Sequence, residues 1–398
     1  MLIKRKEFLQ VGSLATASLM MPKFLKAFEK TNAVPRGNKV LIVLQLSGGN
    51  DGLNTVIPVT NDIYYKERPR LGIKKDKALS LSSDAGLHPS LPFLKSLYDE
   101  GQLGVLNNVG YPNPDRSHFR SMDIWQSASN SDEYVNTGWI GRYLDAQCNG
   151  CDKPTQALEI DDVLSLALKG NELKGLALTD PKKLYSSSNE KYFRQLNAAH
   201  VHEEEAAVDY LYKTLSETLS SADYIYQQSR LNPSRSLYPP TELGRNFKTI
   251  ASLILSDINT KVYYVSLGSF DTHINQENQQ ARLFTQLNDA IEAFVKDMKS
   301  NQRFDDVTVM TFSEFGRRVA QNASGGTDHG TANNMFFIGG GLKKAGLIND
   351  LPDLENLNEG DLKHTVDFKS VYATLLHKWL GADDHQILGN KFPLMDFV

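Results

Sequence analysis

The chain has 398 residues, 40% of them hydrophobic, which is enough for one large domain carrying an insertion. Its 43 Lys and Arg against 47 Asp and Glu leave a formal charge of −4, which excludes the basic footprint expected of a nucleic-acid binder. A small buried substrate is the expectation instead.

The first residues differ from the rest. Lys4, Arg5 and Lys6 precede Phe8-Leu9 and a modest apolar run from Val11 to Met21, the pattern of a secretory signal. A membrane span needs about 20 apolar residues, and no run in the chain reaches that length. Arg5-Lys6-Glu7-Phe8-Leu9 resembles a twin-arginine export signal whose second arginine is lysine; an amphipathic amino-terminal helix is the competing reading. Residues 1–35 therefore read as export signal and linker and 36–398 as the main domain, placed in the periplasm or at the cell surface. Cys148 and Cys151 form a lone C-N-G-C, too few ligands for a structural zinc site, and in an exported protein they predict a small disulfide loop.

In chain order, residues 39–46 form an unbroken apolar run, a strand buried on both faces, which ends in the glycine-rich turn 47–52. Helical periodicity returns over 91–100 with Pro92 as a start signal, 104–109 reads as a strand, and 117–126 as a helix. From about 130 to 240 the chain is polar and mostly helical, with a long helix over 206–228 and a Pro-containing linker at 232–240. It reads as an insertion that caps the site or packs beside it. Thr241 then caps a helix over 242–255. A strand at 261–267, a long amphipathic helix at 276–298, strands at 307–312 and 335–338 and a closing helix at 368–380 follow. Strand, loop and helix in repetition predict an α/β fold: a central, largely parallel sheet flanked by helices on both faces.

Acids and histidines stand beside each of these strands. Asp51 follows the first, Asp271 and His273 follow 261–267, Glu314 and Arg317 follow 307–312, and Asp328-His329 lie in a glycine-flanked loop before 335–338. Ligands of open α/β sheets bind outside the carboxyl ends of the strands, so these residues converge on one edge. Asp271 and His273 are two apart and share a side in extended chain. Imidazole with carboxylate suits zinc, manganese or a similar ion and not calcium, which takes oxygen alone. Asp51, Asp271, His273, Glu314, Asp328 and His329 together suffice for one or two divalent ions. Such ions polarise a phosphoryl or sulfuryl oxygen or generate hydroxide. The plainer readings are turn residues for Asp51 and Asp328-His329, and a salt bridge from Glu314 to Arg317 or Arg318.

Ser117 opens a helix between Arg116 and Arg120, and hydroxyl, helix N-terminus and guanidinium groups together suit an anion. Ser117 is a candidate nucleophile and His118 a candidate ligand or general acid, with Arg116, Arg120 and Arg317 on the substrate; the plainer reading has Ser117 or Asp115 capping the helix. Core or surface roles are the default for His88, His200, His202, His364, His377 and His385.

The segments LSGGNDGLNT, PDRSHFRSMDIW, FDTH, TFSEFGRR, GTDHG and DFKSVYATLLHKWLG resemble the exported bacterial proteins grouped as domain of unknown function 1501, from about residue 40 to near the carboxyl end. That family is placed in the alkaline phosphatase-like superfamily with sulfatases and cofactor-independent phosphoglycerate mutases. The resemblance implies divalent metals at the carboxyl edge of the sheet. It matches Asp51 to a metal-binding aspartate, Ser117 to the nucleophile, Asp271 and His273 to the pair holding one metal, and His329 to the last metal-binding histidine. Glu314-Phe315 stands where many members carry Asp-His, which implies one metal or an altered pair. The function implied is an exported metal-dependent hydrolase of a small phosphate or sulfate ester. The alternative is a non-catalytic periplasmic or cell-surface binding protein on the same fold.

Overall fold

The computed structural model describes residues 39–147, 155–198 and 206–398. The export-signal segment and the Cys148/Cys151 pair lie outside the described residues. Among them, no helix is long and apolar enough to cross a membrane.

Among the described residues, nine strands form the main sheet: β1 Val40–Leu46, β2 Leu103–Gly110, β3 Ala157–Glu159, β4 Leu176–Ala177, β5 Val262–Leu267, β6 Val307–Phe312, β7 Asn333–Gly339, β8 Gly346–Leu347 and β9 Val366–Asp367. Their order is β8-β2-β7-β6-β1-β5-β3-β4, with β9 also beside β2. Only β7 runs against its neighbours, being antiparallel to both β2 and β6. The fold is thus the expected α/β arrangement around a largely parallel sheet.

Every residue of β1 is buried, because helices cover both of its faces. Val40, Ile42, Leu44 and Leu46 pack under the helices α1 Pro92–Asp99, α5 Glu242–Leu255 and α6 Gln276–Ser300. Leu41 and Val43 face α2 His118–Ser127, α3 Trp139–Gln147 and α7 Phe368–Thr374. The alternation follows from the two-residue period of a strand. On this second face Trp125 stacks on Phe312 and Phe368, with ring centroids 5.2 and 4.3 Å apart. The closing segment is shorter than the expected helix: α7 gives way to a π-helical turn over Leu375–Trp379.

Part of the polar middle stretch joins the main sheet. Its strands β3 and β4 extend the main sheet beyond β5, whereas its long helix α4, Ala206–Ser229, stacks Tyr226 on Tyr185 at 4.2 Å. Strands of three and two residues carry too little periodicity to read from sequence.

Register sets the site. Leu46 pairs with Leu267 and Gln45 with Phe312, so the turns after β1, β5 and β6 leave the sheet side by side. β2 runs the same way and delivers residues 111–118 to that edge. β7 is antiparallel, so the segment before it, not after it, arrives there, bringing His329.

One of the default histidines is a core residue. His88 is 6% exposed, packs edge-on against Phe284 at 4.9 Å and accepts a hydrogen bond at Nδ1 from Ser90 N. Burial pushes its pKa down from 6.5 to about 4. The unfolded chain therefore binds more protons than the native one across that window, and stability present above pH 6.5 is lost as pH falls towards 4. The loss should reach about 3 kcal/mol, measured as the difference between urea melts of the wild type and His88→Gln at the two ends of the window.

Candidate metal centre

The loops after β1, β5 and β6, a hairpin and the start of α2 build the centre. The turn after β1 uses Gly48 and Gly49 at φ +119° and +75°, and a methyl group on Gly48 would sit 2.4 Å from Asp271 N. The backbone of the Asp271 loop can therefore approach only a glycine. A methyl on Gly49 would lie 2.2 Å from the Phe315 ring, which fixes the loop after β6 against the turn after β1. The hairpin Arg317–Gln321/Thr327–His329 carries His329, and α2 opens with His118.

At their meeting point Asp271 Oδ1 lies 3.5 Å from His118 Nε2, 3.0 Å from His273 Nε2 and 3.2 Å from His329 Nε2. His273 Nε2 and His329 Nε2 are themselves 3.0 Å apart. Each ring is anchored through its other nitrogen. His118 Nδ1 meets Glu314 Oε1 at 2.8 Å, His273 Nδ1 meets Asp328 Oδ1 at 3.2 Å, and His329 Nδ1 meets the carbonyl of Arg116 at 2.8 Å. Carboxylate and carbonyl oxygens accept, so each Nδ1 donates and each neutral ring turns a bare Nε2 lone pair inward. Three lone pairs facing one carboxylate oxygen repel unless positive charge sits among them. His118 Nε2 is buried and makes no hydrogen bond.

The hydrogen bond that His118 donates to Glu314 holds the His118 pKa above its ordinary value, whereas burial holds that of His329 below. Burial opposes ionisation of Asp271, but the Arg317 guanidinium, which donates to it at 2.8 Å, outweighs burial and brings its pKa down to about 2. Phe315, 2% exposed, backs the site with its ring 4.8 Å from that of His118 and 4.7 Å from that of His329. The four side chains remain 24 to 47% exposed, so the centre is open on one side.

These residues fit a divalent metal. Tetrahedral zinc with bonds of about 2.0–2.1 Å places its ligand atoms about 3.3 Å apart, close to the separations around Asp271 Oδ1. Three imidazole nitrogens and one carboxylate oxygen suit zinc, manganese or iron. Hydrogen-bonded carboxylates behind ligating histidines are the usual means of fixing ring orientation.

The other candidates are placed differently. Asp51, 1% exposed, caps the helical turn Gly52–Thr55 by accepting from Leu53 N and Asn54 N, and it also accepts from Arg68 Nη1 at 2.6 Å and from Gln276 Nε2. Four donors fill the four lone-pair positions of its carboxylate and leave none for a cation. Glu314, 0% exposed, stands behind His118 and accepts from Gly48 N at 2.8 Å. Asp328 stands behind His273 in the same way.

Arg317 is buried and donates to the carbonyls of Gly48, Gly49, Phe270 and Thr327 and to Asp271, which makes it a clamp on the loops and leaves no face for a substrate. Arg120 turns away, donating to the carbonyls of Asn130, Ser131 and Glu133 and stacking on Tyr134. Arg116 pairs with Asp361, which holds the carbonyl that orients His329. Ser117 is the N-cap residue of α2 but its side chain makes no capping bond, and it is exposed beside His118. Arg68 and Gln276, the partners of Asp51, carry no sequence signal, since neither follows a strand.

Fold and site together define an α/β protein with a candidate metal site of His118, Asp271 and His329, with His273 beside Asp271, at the carboxyl edge of its sheet. The family model described as a protein of unknown function, DUF1501, matches residues 100–392, and the chain belongs to that family. His118, Asp271, His273, Glu314 and His329 lie within the matched span and Asp51 before it. No curated protein sequence matches the chain.

Among solved structures, it is similar to the PsFucS1 sulfatase from Pseudoalteromonas sp., at 11% identity and a TM-score of 0.41, over 94% of this chain and 73% of that one. The lipoteichoic acid synthase LtaP from Listeria monocytogenes gives 12% identity and a TM-score of 0.37 over 90% and 76%. The C-terminal periplasmic domain of EcEptC from Escherichia coli, in complex with Zn, gives 11% and 0.37 over 76% and 74%.

Proposed function

We propose that the chain is a metal-dependent hydrolase of phosphate or sulfate esters on an alkaline phosphatase-like fold, working in the periplasm or at the cell surface. His118, Asp271, His273 and His329 hold one divalent cation, and Ser117 is the nucleophile beside it. The observation that carries this reading is the convergence of three Nε2 atoms, each ring anchored through Nδ1, on a single carboxylate oxygen. A cation bound there supplies Lewis acidity to an ester oxygen at the open side.

The chain's own groups do the rest. Glu314 and Asp328 keep His118 and His273 facing inward, and Arg317 holds Asp271 and the glycine turn in register. The uncommitted Ser117 hydroxyl takes the phosphoryl or sulfuryl group while its proton leaves with the departing alcohol. Water then removes the group and restores the serine. Ser117→Ala should lower turnover of p-nitrophenyl phosphate or sulfate by a factor on the order of 10³ or more, with metal content unchanged. Undiminished turnover would remove Ser117 from the mechanism.

A second reading is favoured by the saturated carboxylate of Asp51, where Arg68 already supplies a positive charge. A site reduced to one cation fits a non-catalytic exported binding protein. Stoichiometric metal without turnover of any ester in a broad panel would select it.

A further inference from the structure

A cleft of about 580 Å³ lies among the helices, between the start of the helix Pro181–Ser188, the end of α4 and the middle of α5. Lys182, Arg230, Arg245 and Lys248 line it, all four exposed, with Asp180 the one acid of the lining. Four cations against one carboxylate leave the cleft a formal +3, in a chain whose total is −4. No residue of its lining belongs to the sheet or to the loops of the metal centre.

The charges are gathered by the fold. Phe247, Ile250 and Ile254 turn one side of α5 into the core, which leaves Arg245 and Lys248, three residues apart, together on the other side. Like charges at that spacing repel. Arg230 enters from the end of α4, its guanidinium 5.5 Å from the centroid of the Tyr226 ring, and Tyr226 in turn stacks on Tyr185 at 4.2 Å. Arg245 Nη1 donates to the carbonyl of Pro240 at 2.7 Å. Both guanidinium groups are thus steadied by neutral partners, and their remaining N–H groups stay available.

Asp180 does not balance these cations. Its Oδ1 accepts from Lys182 N and Lys183 N at 2.7 and 2.9 Å, so the carboxylate caps its own helix. The same two bonds occupy the amides at that helix start, and recognition falls to the side chains. Gathering four cations around a concave surface costs free energy that an anion among them recovers. A lone carboxylate neutralises one charge, whereas a phosphate monoester neutralises two and offers three oxygens to guanidinium and ammonium donors. The volume is that of a small-molecule site and exceeds what a bare ion fills.

We propose that this cleft binds a phosphate monoester, with Arg230, Arg245, Lys182 and Lys248 as its recognition groups. The site is separate from the metal centre and does not rest on the hydrolase reading. A dissolved phosphorylated compound and the headgroup of phosphatidic acid share this chemistry. Inorganic phosphate is the first probe, titrated calorimetrically into the full metal-loaded chain. Arg245→Gln combined with Lys248→Gln should weaken its binding about 100-fold, tenfold for each charge removed, at unchanged metal content. Lys182→Gln with Arg230→Gln should act alike and carries the test if the first pair does not fold. Acetate should bind at least tenfold more weakly than phosphate. Co-sedimentation with phosphatidic acid vesicles, absent with phosphatidylcholine and lost in the double variant, would assign the monoester to a lipid. Phosphate binding without co-sedimentation would assign it to a dissolved compound. Phosphate binding indifferent to both pairs, acetate binding as tight as phosphate, or no binding of either phosphate or vesicles would each overturn the proposal. Phosphate binding lost only in His329→Ala would belong to the metal centre and overturn it as well.

Discussion

His329→Ala is expected to deprive the purified chain of stoichiometric metal and of any stabilisation by added zinc. The ring is one of three whose Nε2 atoms surround Asp271 Oδ1, and its Nδ1 is spent on the Arg116 carbonyl, so nothing nearby replaces it. Zinc at 100 times its dissociation constant should raise wild-type stability by about 2.7 kcal/mol, read as an upward shift of the thermal midpoint. The variant should show no such shift. Glu314→Gln probes the same centre one bond further out. It retains the shape of the buried side chain but weakens the acceptor behind His118 Nδ1, and metal affinity should fall about 10–100-fold in a chelator competition. If both variants retain wild-type zinc affinity, the four residues do not form a metal centre.

Arg68→Met should produce the largest loss of stability. Arg68 and Asp51 side chains are 0% and 1% exposed and form an ion pair at 2.6 Å. The same guanidinium donates to Asn54 Oδ1 and to the carbonyls of Val319 and Arg318, each at 2.8 Å. It thereby ties the turn after β1 to the hairpin that carries His329. Methionine fills similar space but abandons a buried carboxylate, at a cost of about 3–5 kcal/mol. Adding Asp51→Asn to Arg68→Met should recover part of this loss, because the abandoned charge disappears. Urea melts of the two single variants and the double variant measure the coupling. A double variant no more stable than Arg68→Met alone would mean that charge burial is not the cause.

The candidate residues were legible to different degrees for identifiable reasons. Asp271 and His273 stand out in sequence because a strand of high apolarity ends just before them, and the structure brings both to the centre. Asp51 carries the same signal, yet its environment is decided by Arg68 and Gln276, which approach from elements distant in the chain. Glu314 and Asp328 are acids beside strands as well. Whether such an acid points at a cation or at the back of a histidine depends on a few ångströms of loop path, which residue type does not encode. The arginines show the limit most plainly. Arg116, Arg120 and Arg317 look alike as donors for an anion, but Arg317 is spent on four carbonyls and Arg120 on three.

Local sequence determined the strands β1, β5 and β6, the helices α1, α2, α5 and α6, the cap at Thr241 and the α/β class. Each of these follows from side-chain periodicity and backbone preference within a short window. Tertiary structure alone decided that β7 runs antiparallel, that β3 and β4 extend the sheet, and that the side chains of His118, His273 and His329 gather around Asp271. Those outcomes depend on strand order, register and the packing of loops against one another. Such interactions join residues far apart in the chain, and no short window contains both partners.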